Sequence, residues 1–551
     1  MEAKKIEDLT DAKRASWAVS AVLAALVMTV VILGGRNVGA PVVWVQTAAA
    51  SFRQGSNDLS LHQRAAHHDR LYGGLLVDGF DVESCHSRHQ SAIYRRNPGR
   101  RPSPYLISKL RRHEALQQRC GPGTDAYSNA LEQLKSGKSI ASPECKYIVS
   151  ISYRGIGNRI LAAASAFLYA VLTGRVLLID PSNEMDELFC EPFPNTTWLL
   201  PAGFPLTNYT NFTVDTAESY GNMVRNKVII SSDAAAAADV PTAAAQQLPA
   251  FAYVHLNYDA TVEDNSFFCG DDQRLLRRIQ WLVMRTDSYI VPGIFLLPAF
   301  QEELDAMFPE RDAVFHHLGR YLFHPNNHVW GLVTRYYDTY LAAAQQRIGI
   351  QVRVFGALPD SPELLEQITR CTQNEGLLPK VLAAGEPMMM LPASRAKSKA
   401  VLVTSLKSWY YEKMKSMYWE HATATGEVVS LHQPSHEEYQ RSGARSHEHK
   451  ALAEIYLLSL TDVLVTSGRS TFGYVAQGLA GVRPWVMYKP ANSSAVPDPP
   501  CGRDVSMEPC FHKPPGHDCR LKQWADPSKD VPYIQHCDDA SWGLKLVGRN
   551  E

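Results

Sequence analysis

The chain has 551 residues, with 55 Lys and Arg against 56 Asp and Glu, a formal net charge of −1 and 45% hydrophobic residues. That balance excludes a disordered chain and a protein held mainly by nucleic-acid phosphates. The length corresponds to roughly three to four domains of ~150 residues, or to two large ones. Ten cysteines, none spaced as C-x-x-C, argue against a zinc ribbon or a dithiol redox site. They favour disulfides in an oxidising compartment.

Residues 1–14 read as a cytosolic tail, and 15–35 as a membrane span. From Ala15 to Gly35 no side chain is charged, and 21 helical residues cover ~31 Å, close to the ~30 Å hydrocarbon core of a bilayer. No other segment is long and apolar enough, which excludes a polytopic membrane protein. Lys4, Lys5, Lys13 and Arg14 precede the span, whereas Arg36 and Arg53 follow it; this asymmetry keeps the N-terminus cytosolic and the remainder lumenal. A cleavable signal peptide with its cut near Val38-Gly39-Ala40 is the rival, but the apolar run exceeds a ~7–15-residue signal core. A lumenal body makes the sequons at Asn195, Asn208, Asn211 and Asn492 usable for glycosylation. By analogy, a tail, one span, a stem and a lumenal body make a single-pass type II Golgi membrane protein.

Residues 36–70 read as the stem, being small and polar without periodicity. Basic residues cluster between Arg88 and Arg119; a solvated basic face is expected, since a lumenal protein meets no nucleic acid. A first β-loop-α-β unit follows: KYIVSIS (146–152), the loop YRGIGNR, an apolar helix from Ile160 to Gly174, then RVLLID (175–180). The alanine-rich stretch 231–250 reads as an inserted surface loop. A second alternation begins at IGIQVRVF (348–355). Its strands KAVLVTSL (399–406), GEVVSLHQ (426–433), TDVLVTSG (461–468) and RPWVMYKP (483–490) are separated by helices. Repeated βα units imply two doubly wound parallel sheets with a ligand in the cleft between them. The expected boundaries are a first lobe over 71–345, a second over 346–495 and a cysteine-rich extension over 496–551, stapled by Cys501, Cys510, Cys519 and Cys537.

Three places can carry chemistry. Gly155-Ile156-Gly157-Asn158-Arg159 sits where a strand turns into a helix, and amide groups at a helix start attract anions. It is not the dinucleotide fingerprint, because position 160 is Ile. Arg353 alternates with Val352 and Val354 on a strand covered on both faces, so it needs an anion there, either a carboxylate or a diphosphate. Ser467-Gly468-Arg469-Ser470-Thr471-Phe472-Gly473 again joins a strand to a helix, where a phosphate or a helix cap is satisfied. Asp287 lies in an apolar stretch, which would raise its pKa and suit a general base or helix cap. His316 and His317 read as structural. The chain holds neither G-x-x-x-x-G-K-S/T nor D-x-D, so no P-loop and no acidic pair for a divalent cation is expected.

These blocks resemble the plant xyloglucan fucosyltransferases, glycosyltransferase family 37, from about residue 71 to 549. The resemblance is carried by GLLVDGFDVESC (74–85), RCGPGT (119–124), ISYRGIGNRIL, LFCEPFP (188–194), VFHHLGRYLFHPNN (314–327), IGIQVRVF, LKSWYYEKM, TDVLVTSGRSTFGYVAQGLAG and CDDASWGLKLV (537–547). It implies a GT-B-like fold and an inverting, metal-independent transfer of L-fucose from GDP-fucose to a galactosylated cell-wall glycan, typically α-1,2 onto xyloglucan galactose. No cofactor beyond the donor substrate is expected; a homodimer or other glycosyltransferases are possible partners. Carried over by position, Arg353 holds the diphosphate. Gly155, Gly157, Asn158 and Arg159 form the donor-side loop, and Ser467, Gly468, Ser470, Thr471, Phe472 and Gly473 the nucleotide segment. Asp287 faces the acceptor as candidate base, and Asp539 joins the donor set. An arabinogalactan acceptor, or a catalytically silent paralogue serving as a complex subunit, are the alternatives.

Overall fold

The two runs of βα alternation become two parallel sheets, each covered on both faces. The computed structural model describes Asp69 and residues 71–548, leaving out 96–98, 138–141, 183, 231–247, 355–358, 384–396, 442, 490–494 and 520–522. The expected tail and membrane span, the stem apart from Asp69, most of the alanine-rich loop, and Asn492 lie outside the described residues. Residues Asp69–Glu551 form one compact unit.

In the first lobe, helices α1 (His86–Tyr94), α2 (Pro104–Cys120) and α3 (Asp125–Lys135) precede β1 (Tyr147–Ile151), α4 (Ile156–Thr173) and β2 (Val176–Ile179). Strands β3 (Phe251–His255) and β4 (Trp281–Arg285) complete a four-stranded parallel sheet of order β2-β1-β4-β3. Strand β1 shows why such strands read as continuous apolar runs: Ile148 enters one core, while Tyr147, Val149 and Ile151 enter the other. Contrary to the expectation of a single such segment, helix α4 is also long and apolar enough to cross a bilayer. It is the one such helix among the described residues, but it is a core helix buried along nearly its whole length. It stops at Gly174, whose φ of 62° is left-handed and suits glycine.

Helices α5 (Val314–Leu322) and α6 (Asn327–Tyr336) lead to the second lobe. There β5 (Gln346–Gln351), α7 (Pro362–Asn374), β6 (Ser398–Thr404), α8 (Ser408–Glu420), β7 (Val428–His432), α9 (Arg445–Ser459), β8 (Val463–Ser467), α10 (Thr471–Ala480) and β9 (Trp485–Met487) follow in turn. The sheet order is β10-β9-β8-β5-β6-β7, parallel except that β10 (Cys501–Arg503) runs antiparallel to β9. Helices α4, α9 and α10 share one continuous apolar core that spans both lobes. This is the GT-B-like arrangement: two Rossmann-like lobes facing a cleft.

All ten cysteines are paired: Cys85–Cys190, Cys120–Cys145, Cys269–Cys519, Cys371–Cys501 and Cys510–Cys537. The C-terminal extension is therefore not stapled only to itself. Cys501 ties it to α7, and Cys519 to the first lobe. The basic cluster is a solvated face only in part: Arg101, Arg112 and Arg119 are exposed, but three others are engaged. Arg88 is buried over the Phe80 ring, Arg95 donates to the Leu479 carbonyl, and Arg100 forks onto Asp312 at 2.8 Å. These three cations tie neighbouring segments of the chain together. His316 and His317 are buried as expected, with burial pushing the pKa of His317 down to about 4.

Candidate functional site

A cavity of about 680 Å³ lies beyond the C-terminal ends of β5, β6 and β8, where they face the start of α4. Its size is typical for a drug-sized or cofactor-sized ligand, and its place is the one where doubly wound sheets bind ligands.

Two helices point their N-termini into it. Gly155 precedes α4 without a side-chain cap, and Ser470 caps α10 through the Gly473 amide. The ends touch: Thr471 Oγ1 donates to Asn158 Oδ1 at 2.9 Å, and Asn158 Nδ2 donates to the Asp287 carbonyl at 2.7 Å. Only glycine fits at 157, since a Cβ there would stand 2.7 Å from the Thr471 carbonyl carbon, 2.8 Å from its oxygen and 2.9 Å from the Phe472 nitrogen. Each helix start carries roughly half a positive charge on amides without helical partners. Two such ends side by side repel each other and attract an anion between them.

Arginines reinforce the field. Arg353 lies just past the end of β5 rather than on the strand. Its N–H donates to Ser467 Oγ at 2.9 Å, and its guanidinium to the Arg469 carbonyl. Arg469 is a non-glycine residue with a φ of 58°, a conformation that costs of order 1 kcal/mol or more and persists only where its surroundings fix it. Asp539 does so, accepting the Arg469 N–H at 2.6 Å while its carbonyl takes Nε at 3.0 Å. The Arg469 guanidinium rests over the Trp542 ring, 4.3 Å from its centroid. The cleft's carboxylates are engaged: Glu437 pairs with Lys450, Glu448 pairs with Arg159, and Glu454 meets Ser435 Oγ. Burial pushes the pKa of Glu454 up to about 8, favouring its neutral form at pH 7. The grouping of Cys510, Cys537 and Asp539 is no ligand set for a metal, because the two sulfurs are bonded to each other.

Two expected site residues have other work. Arg159 does not face the cavity; it is 4% exposed and ion-paired to Glu448, joining α4 to α9. Asp287 is not in apolar surroundings. Ser152 Oγ (2.7 Å), the Tyr153 N–H (3.2 Å), Asn257 Nδ2 (2.9 Å) and Arg154 Nε (3.4 Å) converge on its two oxygens. It is 2% exposed and absent from the cavity wall, so its lone pairs hold the loop before α4 rather than await a substrate proton.

The sequence profile of the xyloglucan fucosyltransferase family matches residues 47–520. The chain belongs to this family. It is 51% identical over 481 residues to the galactoside 2-alpha-L-fucosyltransferase of Pisum sativum, covering 87% of this chain and 82% of the relative. It is 52% identical over 481 residues to the Arabidopsis thaliana protein of the same name, with 87% and 83% covered. A solved structure of an Arabidopsis thaliana FUT1 mutant in complex with GDP superposes with a TM-score of 0.79 at 51% identity, covering 87% of this chain and 100% of that one.

In this xyloglucan fucosyltransferase family member, Gly155, Gly157, Asn158, Arg353, Ser470, Thr471 and Phe472 all line the cavity. Ser467, Gly468 and Asp539 stand behind it as supports, and Gly473 sits in the buried first turn of α10. The sequons at Asn195, Asn208 and Asn211 are exposed. Sequence reasoning missed Arg469, although it lies inside the quoted block, and also Tyr258, Glu454, His512 and Trp542 on the cavity wall. No spacing marks His512, which comes from the extension. Its aromatic and cysteine neighbours, in PCFHKPPGHDC, are the only local signal.

Proposed function

We propose that this chain moves L-fucose from GDP-fucose to the 2-hydroxyl of a terminal galactose on a cell-wall xyloglucan, with inversion and without a divalent cation. The observation that carries this reading is the pair of touching helix N-termini beside Arg353 and Arg469. In the reaction an acceptor oxygen attacks the fucose anomeric carbon, and the bond to the β-phosphate oxygen breaks with its electron pair going to the phosphate. Negative charge thus grows on the diphosphate as the barrier is crossed, and fixed donors placed there lower that barrier without having to reorganise. Arg353 and the amides before α4 and α10 are those donors. Ser405, Ser435 and Glu454 also line the cavity and offer polar atoms suited to a guanine edge. The similarity to galactoside 2-alpha-L-fucosyltransferases and to a GDP complex supports both donor and acceptor.

The same reading makes the chain a type II Golgi membrane protein, glycosylated at exposed sequons, with its five disulfides formed in the lumen. The direct test incubates the purified chain with GDP-fucose and a panel of galactosylated xyloglucan and arabinogalactan oligosaccharides, followed by linkage analysis. A 2-linked fucose on xyloglucan galactose is expected. Fucosylation of arabinogalactan alone would move the acceptor assignment, and no transfer to any glycan would overturn the reading.

A further inference from the structure

The transfer requires a proton to leave the attacking hydroxyl, and the obvious carboxylate, Asp287, is saturated with donors. The geometry points to His512 as the general base, an assignment that rests on the transferase reading above. The acceptor hydroxyl oxygen bonds to the anomeric carbon, the carbon–phosphate-oxygen bond breaks toward the diphosphate, and the hydroxyl proton passes to His512 Nδ1. The imidazolium then returns its proton to water.

The hydrogen-bond network fixes which nitrogen is free to accept. Tyr474 Oη donates to Asp539 Oδ2, so its single hydrogen is committed. Its oxygen can then only accept from His512 Nε2, 3.0 Å away. A neutral ring with its proton on Nε2 carries the lone pair on Nδ1. Tyr258 Oη, on the cavity wall, is 3.5 Å from Nδ1, a separation too long for a strong O–H···N bond. The chain Asp539–Tyr474–His512 therefore orients a base as a buried carboxylate orients an imidazole in hydrolases, with a tyrosine interposed.

Placement and charge agree. His512 lines the same cavity as Arg353 and Arg469. The groups around it are Asp539 and Lys545 from the C-terminal hairpin, whose antiparallel strands are Ile534–Cys537 and Ala540–Leu546, Arg353 after β5, Arg469 before α10, Tyr474 within α10 and Tyr258 after β3. Burial pushes its pKa down to about 4; the Asp539 charge opposes the shift, while Arg353, Arg469 and Lys545 add to it. The imidazole is thus unprotonated at neutral pH and ready to accept. Burial is the largest cause of that shift, and a diphosphate bound beside Arg353 and Arg469 would offset only their smaller share of it.

The test compares wild type, His512→Ala, His512→Gln and Tyr474→Phe for kcat, for GDP affinity by calorimetry and for the pH profile. General bases contribute about 10²–10⁴-fold. We expect His512→Ala to lose kcat by that factor, with GDP affinity within about threefold of wild type, and added imidazole to restore part of the rate. The acid limb of the kcat profile should vanish in His512→Gln and shift in Tyr474→Phe. A His512→Ala enzyme within a few-fold of wild-type kcat overturns the assignment. So does a loss of rate that tracks lost GDP affinity and that imidazole leaves unrepaired. Wild type inert toward every galactosylated acceptor would instead sink the transferase reading itself.

Discussion

Replacing Gly157 with alanine tests the anion site by its steric foundation. The added Cβ would meet three backbone atoms of Thr471 and Phe472 at 2.7–2.9 Å, whereas carbon atoms settle at ~3.5–4.0 Å. Backbone cannot swing aside as a side-chain tip can, so the starts of α4 and α10 must part by roughly 0.7 Å or more. The Thr471–Asn158 bond of 2.9 Å stretches with them, and Asn158 can no longer hold both Thr471 and the Asp287 carbonyl. Helix propensity alone would favour alanine by up to about 1 kcal/mol, but overpacking of this kind costs about 1–3 kcal/mol. A misplacement near 1 Å at a reacting site lowers rates by about 10²-fold, equivalent to ~2.7 kcal/mol. Gly157→Ala should therefore show weaker GDP binding by calorimetry, kcat/KM for GDP-fucose down by about two orders of magnitude, and a lowered Tm. Wild-type kcat/KM with unchanged GDP affinity would refute the claim that the two helix ends form one site.

Arg353→Ala should reduce kcat more than a hundredfold, the scale of about 3 kcal/mol for losing one preorganised donor to a developing anion; steady-state kinetics at saturating donor would read it. Asp287→Asn should lower Tm and raise KM for GDP-fucose, because one acceptor oxygen becomes an amide facing donors, and it should leave the acid limb of the kcat profile in place. Loss of that limb would restore Asp287 as the base. Glu508 gives a pH signature in stability. Burial pushes its pKa up to about 8, and Tyr289 Oη (2.6 Å) and the Phe315 N–H (2.7 Å) contact its two oxygens. The folded state holds a proton that the unfolded chain loses near pH 4.5. Stability should therefore fall as pH rises from about 4.5 to about 8, by up to ~1.4 kcal/mol per unit from this one group, then level off. Denaturant titrations of Glu508→Gln should show a shallower decline over that window, and a slope identical to wild type would count against it.

The second lobe was legible because its strands and helices alternate without long insertions, so each apolar run could be assigned by length and turn signals. Strands β3 and β4 were not separated from their surroundings. FAYVH follows an alanine-rich stretch, and WLVMR merges with an apolar run whose period matches neither strand nor helix over its length. The Gly155 and Ser470 loops could be placed as anion sites because a helix start after a strand has the same amides whatever the fold. What pairs with what was not legible. Glu448 lies 289 residues from Arg159, and only the fold shows that their ion pair removes Arg159 from the cavity. Asp287 looked isolated because its donors come from Ser152, Tyr153 and Asn257, distant in sequence. Arg469 appeared as one polar letter in a loop, with no sign of the left-handed backbone that Asp539 holds from 70 residues away. The extension read as a stapled tail, although its hairpin returns to the cleft and delivers Asp539 and Trp542.

The most direct measurement is fucose transfer by the purified chain from GDP-fucose to a galactosylated xyloglucan oligosaccharide in excess EDTA, with the product followed by mass spectrometry. Helix amides and arginines that neutralise the leaving diphosphate predict the same rate with EDTA as with added Mg²⁺ or Mn²⁺. A chain that stays idle until a divalent cation is supplied, or that transfers fucose equally well from a donor lacking guanine, would contradict the account.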